Sequence, residues 1–166
     1  MGAGQEIWAE QLVRHEEEIQ SHGLRAEILV RDTFFDEILQ HFLERTFRRA
    51  DKVVLGLFNH NNNGPLCTLT SKPKLAYALG LIDKQVLDDL KNMHTIRNRF
   101  AHLAKPDFAD AELAKACGKL SGAKGRKVTA RNYTGFYRAT ALNCVNYLHQ
   151  KLSEEREHLQ SKPADD

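Results

Sequence analysis

Acidic residues are missing from one long stretch of this chain. Between Leu113 and Ser153 there is no Asp or Glu, whereas Lys115, Lys119, Lys124, Arg126, Lys127, Arg131, Arg138 and Lys151 give the stretch a charge of +8. The formal net charge of all 166 residues is only +2, so the remainder carries −6 and a near-neutral protein contains a basic quarter. Cysteine is scarce as well. Cys67, Cys117 and Cys144 are odd in number and far apart, with no pair spacing suited to zinc, and fit a reducing compartment; Cys144 reads as core. No apolar run approaches the roughly 18 residues of a membrane span. The start, Met1 to Glu6, has neither the basic nor the apolar segment of a signal peptide, which predicts a cytoplasmic protein with no membrane contact. Alternating strand patterns are absent too.

Helical periodicity is what the chain has instead. Glu6 to Gln20 reads as a polar first helix with Ile7, Trp8, Leu12 and Ile19 as contact points, ended by His22-Gly23. From Leu24 to about Arg49, Ile28, Phe35, Ile38 and Phe42 form one stripe that Leu39, Leu43 and Phe47 widen, the broad apolar arc of a helix central in a bundle. Asp51 to Phe58 predicts a short helix or turn, and His60 to Pro65 a loop. Ser71 is placed to cap a short helix through Leu79 with Pro73 in its first turn and Gly80 at its end. Asp83 is placed to cap the next helix, and Asp107 or Asp110 a short amphipathic piece to Cys117. The last helix runs from about Asn132 to Leu159, with Tyr137, Ala141, Val145, Leu148 and Leu152 at steps of four and three, and the tail frays from about residue 160. These elements predict one all-α domain over residues 1–166, a helical bundle with short extra helices.

The densest cations lie in the segment of about residues 118–131, read as a flexible loop because Gly122 and Gly125 loosen its backbone. Lys119, Lys124, Arg126, Lys127 and Arg131 are then free to reach nucleic-acid phosphates, and a merely solvated loop is the competing reading. Its glycines and lysines do not fit a nucleotide-binding phosphate loop, which needs two glycines five apart and a following Lys-Ser/Thr.

The helix capped by Asp83 ends in Arg97-Asn98-Arg99-Phe100-Ala101-His102. Val86, Leu90 and Met93 define an apolar seam whose next positions are Arg97 and Phe100. A guanidinium there is either locked to a carboxylate, with Glu27, Asp32, Asp36 and Glu37 the candidates, or lines a cleft that receives an anion. His102 is five residues on, about 140° around the helix, so the two side chains meet only if the helix ends there or a second copy supplies the partner. Pro106 sets that end between about Phe100 and Ala104. His94, Asn98 and His102 recur at i+4, but without a nearby Cys or close carboxylate they make no zinc set, and no metal or cofactor is expected. No nucleophile elbow, paired catalytic acids or Cys-His arrangement is present.

Arg97-Asn98-x-x-x-His102 resembles the Arg-x4–6-His signature of the HEPN superfamily, which implies an all-α, commonly dimeric fold. The resemblance also implies metal-independent RNA cleavage: His102 as acid-base group, Arg97 as phosphate clamp and Asn98 as a positioning group. Gly64 to Ile82, followed by the polar helix into Ile96-Arg97-Asn98, is similar to about forty residues of the mannitol operon repressor family, and Leu24 to Phe47 is compatible with it. That similarity implies a transcriptional regulator acting on nucleic acid directly or through a protein partner; no helix-turn-helix with a basic recognition helix can be read. Two functions therefore stand, a repressor-like regulator and a HEPN-type endoribonuclease. The apolar arc and the angular mismatch between Arg97 and His102 both predict a homodimer.

Overall fold

The computed structural model describes residues 23–49, 51–102 and 108–160, excepting the side chains of 155–160. The expected first helix, Glu6 to Gln20, and the tail from residue 161 lie outside them. The described chain forms α1 (Leu24–Thr46), α2 (Lys52–Gly56), α3 (Lys72–Ala78), α4 (Lys84–His102), α5 (Ala111–Gly118) and α6 (Tyr133–Gln160), with 3-10 turns at His60–Asn62 and Ser121–Ala123. No strand occurs among the described residues, so the fold is an all-α bundle.

The helix starts follow the chemistry of their caps. Asp51 accepts from the amides of Val53 and Val54, Asp83 from Val86 at 2.8 Å, and Asp110 from Leu113 at 2.8 Å. Ser71 does not cap α3. Its own φ and ψ are helical, and its hydroxyl lies 3.0 Å from that of Thr68 instead. Gly80 ends α3 with φ +73°, a left-handed conformation that glycine adopts without a Cβ penalty.

α4 packs against α1, α3, α5 and α6. Ile28, Phe35, Ile38, Leu39, Phe42 and Leu43 of α1 are buried against Val86, Leu90, Met93, Ile96 and Phe100 of α4 and Tyr137, Ala141, Cys144 and Leu148 of α6 in one core. The broad arc of α1 that predicted a dimer is therefore covered within the chain itself. Cys117 is as buried as Cys144; burial pushes the Cys117 thiol up to about 12 and raises Cys144 as well, so neither supplies a thiolate at neutral pH.

Three charged residues, Glu27, Lys72 and Asp89, are buried in this apolar frame among the described residues. Lys72 of α3 is wholly buried and donates to Asp36 of α1 at 2.6 Å. Glu27 of α1 receives Arg138 of α6 in a bidentate contact, Nε at 3.0 Å and Nη2 at 2.7 Å, with Arg31 at 3.3 Å. Burial alone would raise the Glu27 carboxyl, but the two guanidiniums outweigh it and hold the group below its ordinary value. A depressed carboxyl stabilises the fold above the ordinary glutamate range, and that contribution is lost as pH falls through the lower folded value. In urea unfolding at stepped pH, wild type should therefore exceed Glu27→Gln in stability near neutrality, and the gap should close in acid. A gap that is constant with pH would contradict the assignment.

Candidate functional site

α4 carries the residues singled out in the sequence, and its burial pattern divides them. Ile96, not Arg97, completes the buried seam between Met93 and Phe100. Arg97 sits at the seam's edge, its side chain 36% exposed, with Nε 3.3 Å from Asp32 Oδ2 of α1. The approach is electrostatic rather than directed, because that buried Nε makes no hydrogen bond. Nη1 donates to Asn98 Oδ1 at 3.1 Å. The other oxygen of Asp32 lies 3.0 Å from His94 Nδ1. Asp32 thus joins two α4 side chains three residues apart on the same face, and of the four carboxylates that could hold Arg97 it is the one that does.

His102 is elsewhere. It is exposed at the last described residue of α4, and the helix is continuous from Arg97, so the offset of about 140° persists within one chain. Arg97 and Asn98 are brought together with Asp32 and His94, while His102 is not. His94 and Asp32 were not singled out as functional in the sequence; the i, i+3 spacing of His94 and Arg97 was the available signal.

The basic segment is folded rather than loose. Ser121 N donates to buried Asp89 Oδ1 of α4 at 2.8 Å, Gly122 N donates to Thr140 Oγ1 of α6 at 3.0 Å, and Asn132 binds Lys127 O and Thr129 N. Leu120 and Ala123 are buried between these ties. A Cβ on Gly122 would lie 2.7 Å from Phe136 O and from Thr140 Oγ1, so this glycine permits close approach instead of loosening the chain. Gly125, at φ +74°, marks the turn of the segment.

Strapping the backbone in this way presents the cations outward. Lys119, Lys124, Arg126, Lys127 and Arg131 are all exposed, and none has a carboxylate within salt-bridge distance among the described residues. Arg126 lies over the Phe136 ring at 5.0 Å. The stretch is not wholly uncompensated, since Arg138 is neutralised by Glu27 and Lys151 by Glu154 at 2.8 Å. Among the described residues no three His, Cys, Asp or Glu side chains gather as a metal set, and no helix is long and apolar enough to cross a membrane.

The bundle is similar to two solved structures. The X-ray structure of the MtlR–HPr complex from Escherichia coli aligns with a TM-score of 0.61 at 20% identity, covering 86% of this chain and 98% of that one. A possible transcriptional regulator, YggD from Shigella flexneri 2a str. 2457T, aligns with a TM-score of 0.57 at 17% identity, over 83% of this chain and 95% of that one. At these identities the likeness is one of fold. No curated protein matches the sequence significantly. The sequence model of the mannitol repressor family, however, matches residues 15–154, nearly the whole described bundle and both sequence blocks singled out above, and the chain belongs to that family.

Proposed function

We propose that this chain is a cytoplasmic, mannitol-repressor-type transcriptional regulator that acts by binding a protein partner. The observation that carries the reading is the family match over residues 15–154. The partner route is favoured because the most basic segment is a strapped turn and not a helix that could enter a major groove. The related E. coli protein forms a complex with HPr, which makes HPr the partner to test first. Lys119, Lys124, Arg126, Lys127 and Arg131 remain the surface for any nucleic acid contacted on the way.

A homodimer is part of the proposal. With the α1 arc covered, it rests on exposed apolar side chains such as Val53 and Tyr77. Size-exclusion chromatography with light scattering, run on the chain alone and mixed with HPr, reads both points: a dimer mass that rises on adding HPr is the expected result. A monomer unaffected by HPr would defeat this form of the proposal.

The second reading, metal-independent RNA cleavage by Arg97, Asn98 and His102, has less support. Asp32 already neutralises Arg97, and His102 can join it only from a second copy. RNA incubated with the protein and chelator should stay intact; cyclic-phosphate products that vanish in His102→Ala would revive the enzyme.

A further inference from the structure

A groove of about 720 Å³ opens between the outer face of α4 and the basic segment, away from the Asp32–His94–Arg97 cluster. Gln85, Asn92 and Thr95 line one wall together with Lys91, and Lys119 and Lys124 line the other. The volume is that of a small-molecule site. None of the three ammonium groups forms an ion pair among the described residues. The one acid in the groove, Asp88, is held by Lys84.

The uncharged wall is polarised. Thr95 donates its hydroxyl hydrogen to Lys91 O at 3.0 Å, Asn92 donates to Asp88 O at 2.8 Å, and Gln85 donates to Asp89 Oδ2 at 3.4 Å. The Thr95 hydroxyl hydrogen and one N–H of each amide are used in this way; the second N–H of each amide and the three side-chain oxygens remain, so the wall can both accept from and donate to hydroxyl groups. The opposite wall is fixed in place by the hydrogen bond from Ser121 N to Asp89, so the groove is built before a ligand arrives.

We propose that this groove binds a phosphate monoester of a small polyhydroxy compound, a sugar phosphate in chemical class. Lys91, Lys119 and Lys124 would take the phosphate, and the oxygens of Gln85, Asn92 and Thr95 would accept from the hydroxyls. A nucleic-acid backbone fits less well, because each further phosphate along the strand would meet the uncharged wall or Asp88 in place of a cation. The site stands on the groove alone and holds whether or not the repressor reading does.

The test is a ¹⁵N NMR titration of the full chain at fixed ionic strength. The probes are glucose 6-phosphate, fructose 6-phosphate, ribose 5-phosphate, their unphosphorylated sugars, inorganic phosphate and a twelve-nucleotide RNA. At least one sugar phosphate should saturably shift the Gln85 and Asn92 side-chain amides and the backbone amides of 119–125. It should bind at least tenfold more tightly than its parent sugar and than inorganic phosphate. Lys91→Gln with Lys124→Gln should weaken it at least tenfold, and Asn92→Leu should weaken it while leaving inorganic phosphate unaffected. If no sugar phosphate outcompetes inorganic phosphate, or if the RNA holds the same amides more tightly than all three, the proposal is wrong.

Discussion

Asp36→Ala should destabilise the fold by about 3–5 kcal/mol, because it leaves an uncompensated ammonium in the interior. Lys72 has no exposed surface, and Asp36, at 2.6 Å, is the carboxylate within ion-pair distance of its amine among the described residues. The reverse change should be far milder. Lys72→Met removes the buried charge and keeps most of the volume, and the Asp36 side chain, 22% exposed, retains contact with solvent. Chemical denaturation of the two single variants and the double variant gives the answer: Asp36→Ala should be rescued by Lys72→Met added to it. Equal losses in both single variants without rescue would show that the pair does not act as described.

Gly122→Ala should cost about 1–3 kcal/mol, the usual range for forcing a methyl into a packed site. The new Cβ would meet a backbone oxygen of α6 at 2.7 Å as well as the Thr140 hydroxyl that accepts from Gly122 N, so relief requires the segment to lift off the helix. Hydrogen exchange should therefore quicken at the amides of Ser121 and Gly122 before it does in α1 or α6. Gly125→Ala is a useful contrast, since there a Cβ meets nothing within 4 Å and the strain is in φ alone. If Gly122→Ala left both stability and exchange unchanged, the strapped segment would be misdescribed.

Helices whose apolar residues repeat every three to four positions were legible from the residues. The stripes of α1 and α6 are buried as expected except at Phe47 and Leu152, which are partly buried; Asp83 caps as expected, and so does Asp110, one of two candidates. Ser71 also carries a short side-chain acceptor, but its backbone is helical and its hydroxyl lies against that of Thr68, which composition does not reveal. Adjacent helix positions lie about 100° apart. Ile96 and Arg97 are three and four residues after Met93, about 60° to one side of it and about 40° to the other, so a seam read by steps of three and four admits either, and the core took Ile96. Contacts between distant elements were less legible. The four acids on α1 that could meet Arg97 differ only in how α1 is rotated and shifted against α4, and Glu27 meets Arg138 across 111 residues of chain. Gly122 was read for its freedom, whereas the fold uses its lack of a side chain.

As a member of the mannitol repressor family, this chain should regulate transcription of a mannitol operon. Mannitol-operon transcripts can be quantified in cells that carry the gene, lack it, or lack it and regain it on a plasmid. The transcripts should rise on deletion and return to the original level with the wild-type gene. Levels indifferent to the presence of the gene, with and without mannitol, would contradict the account.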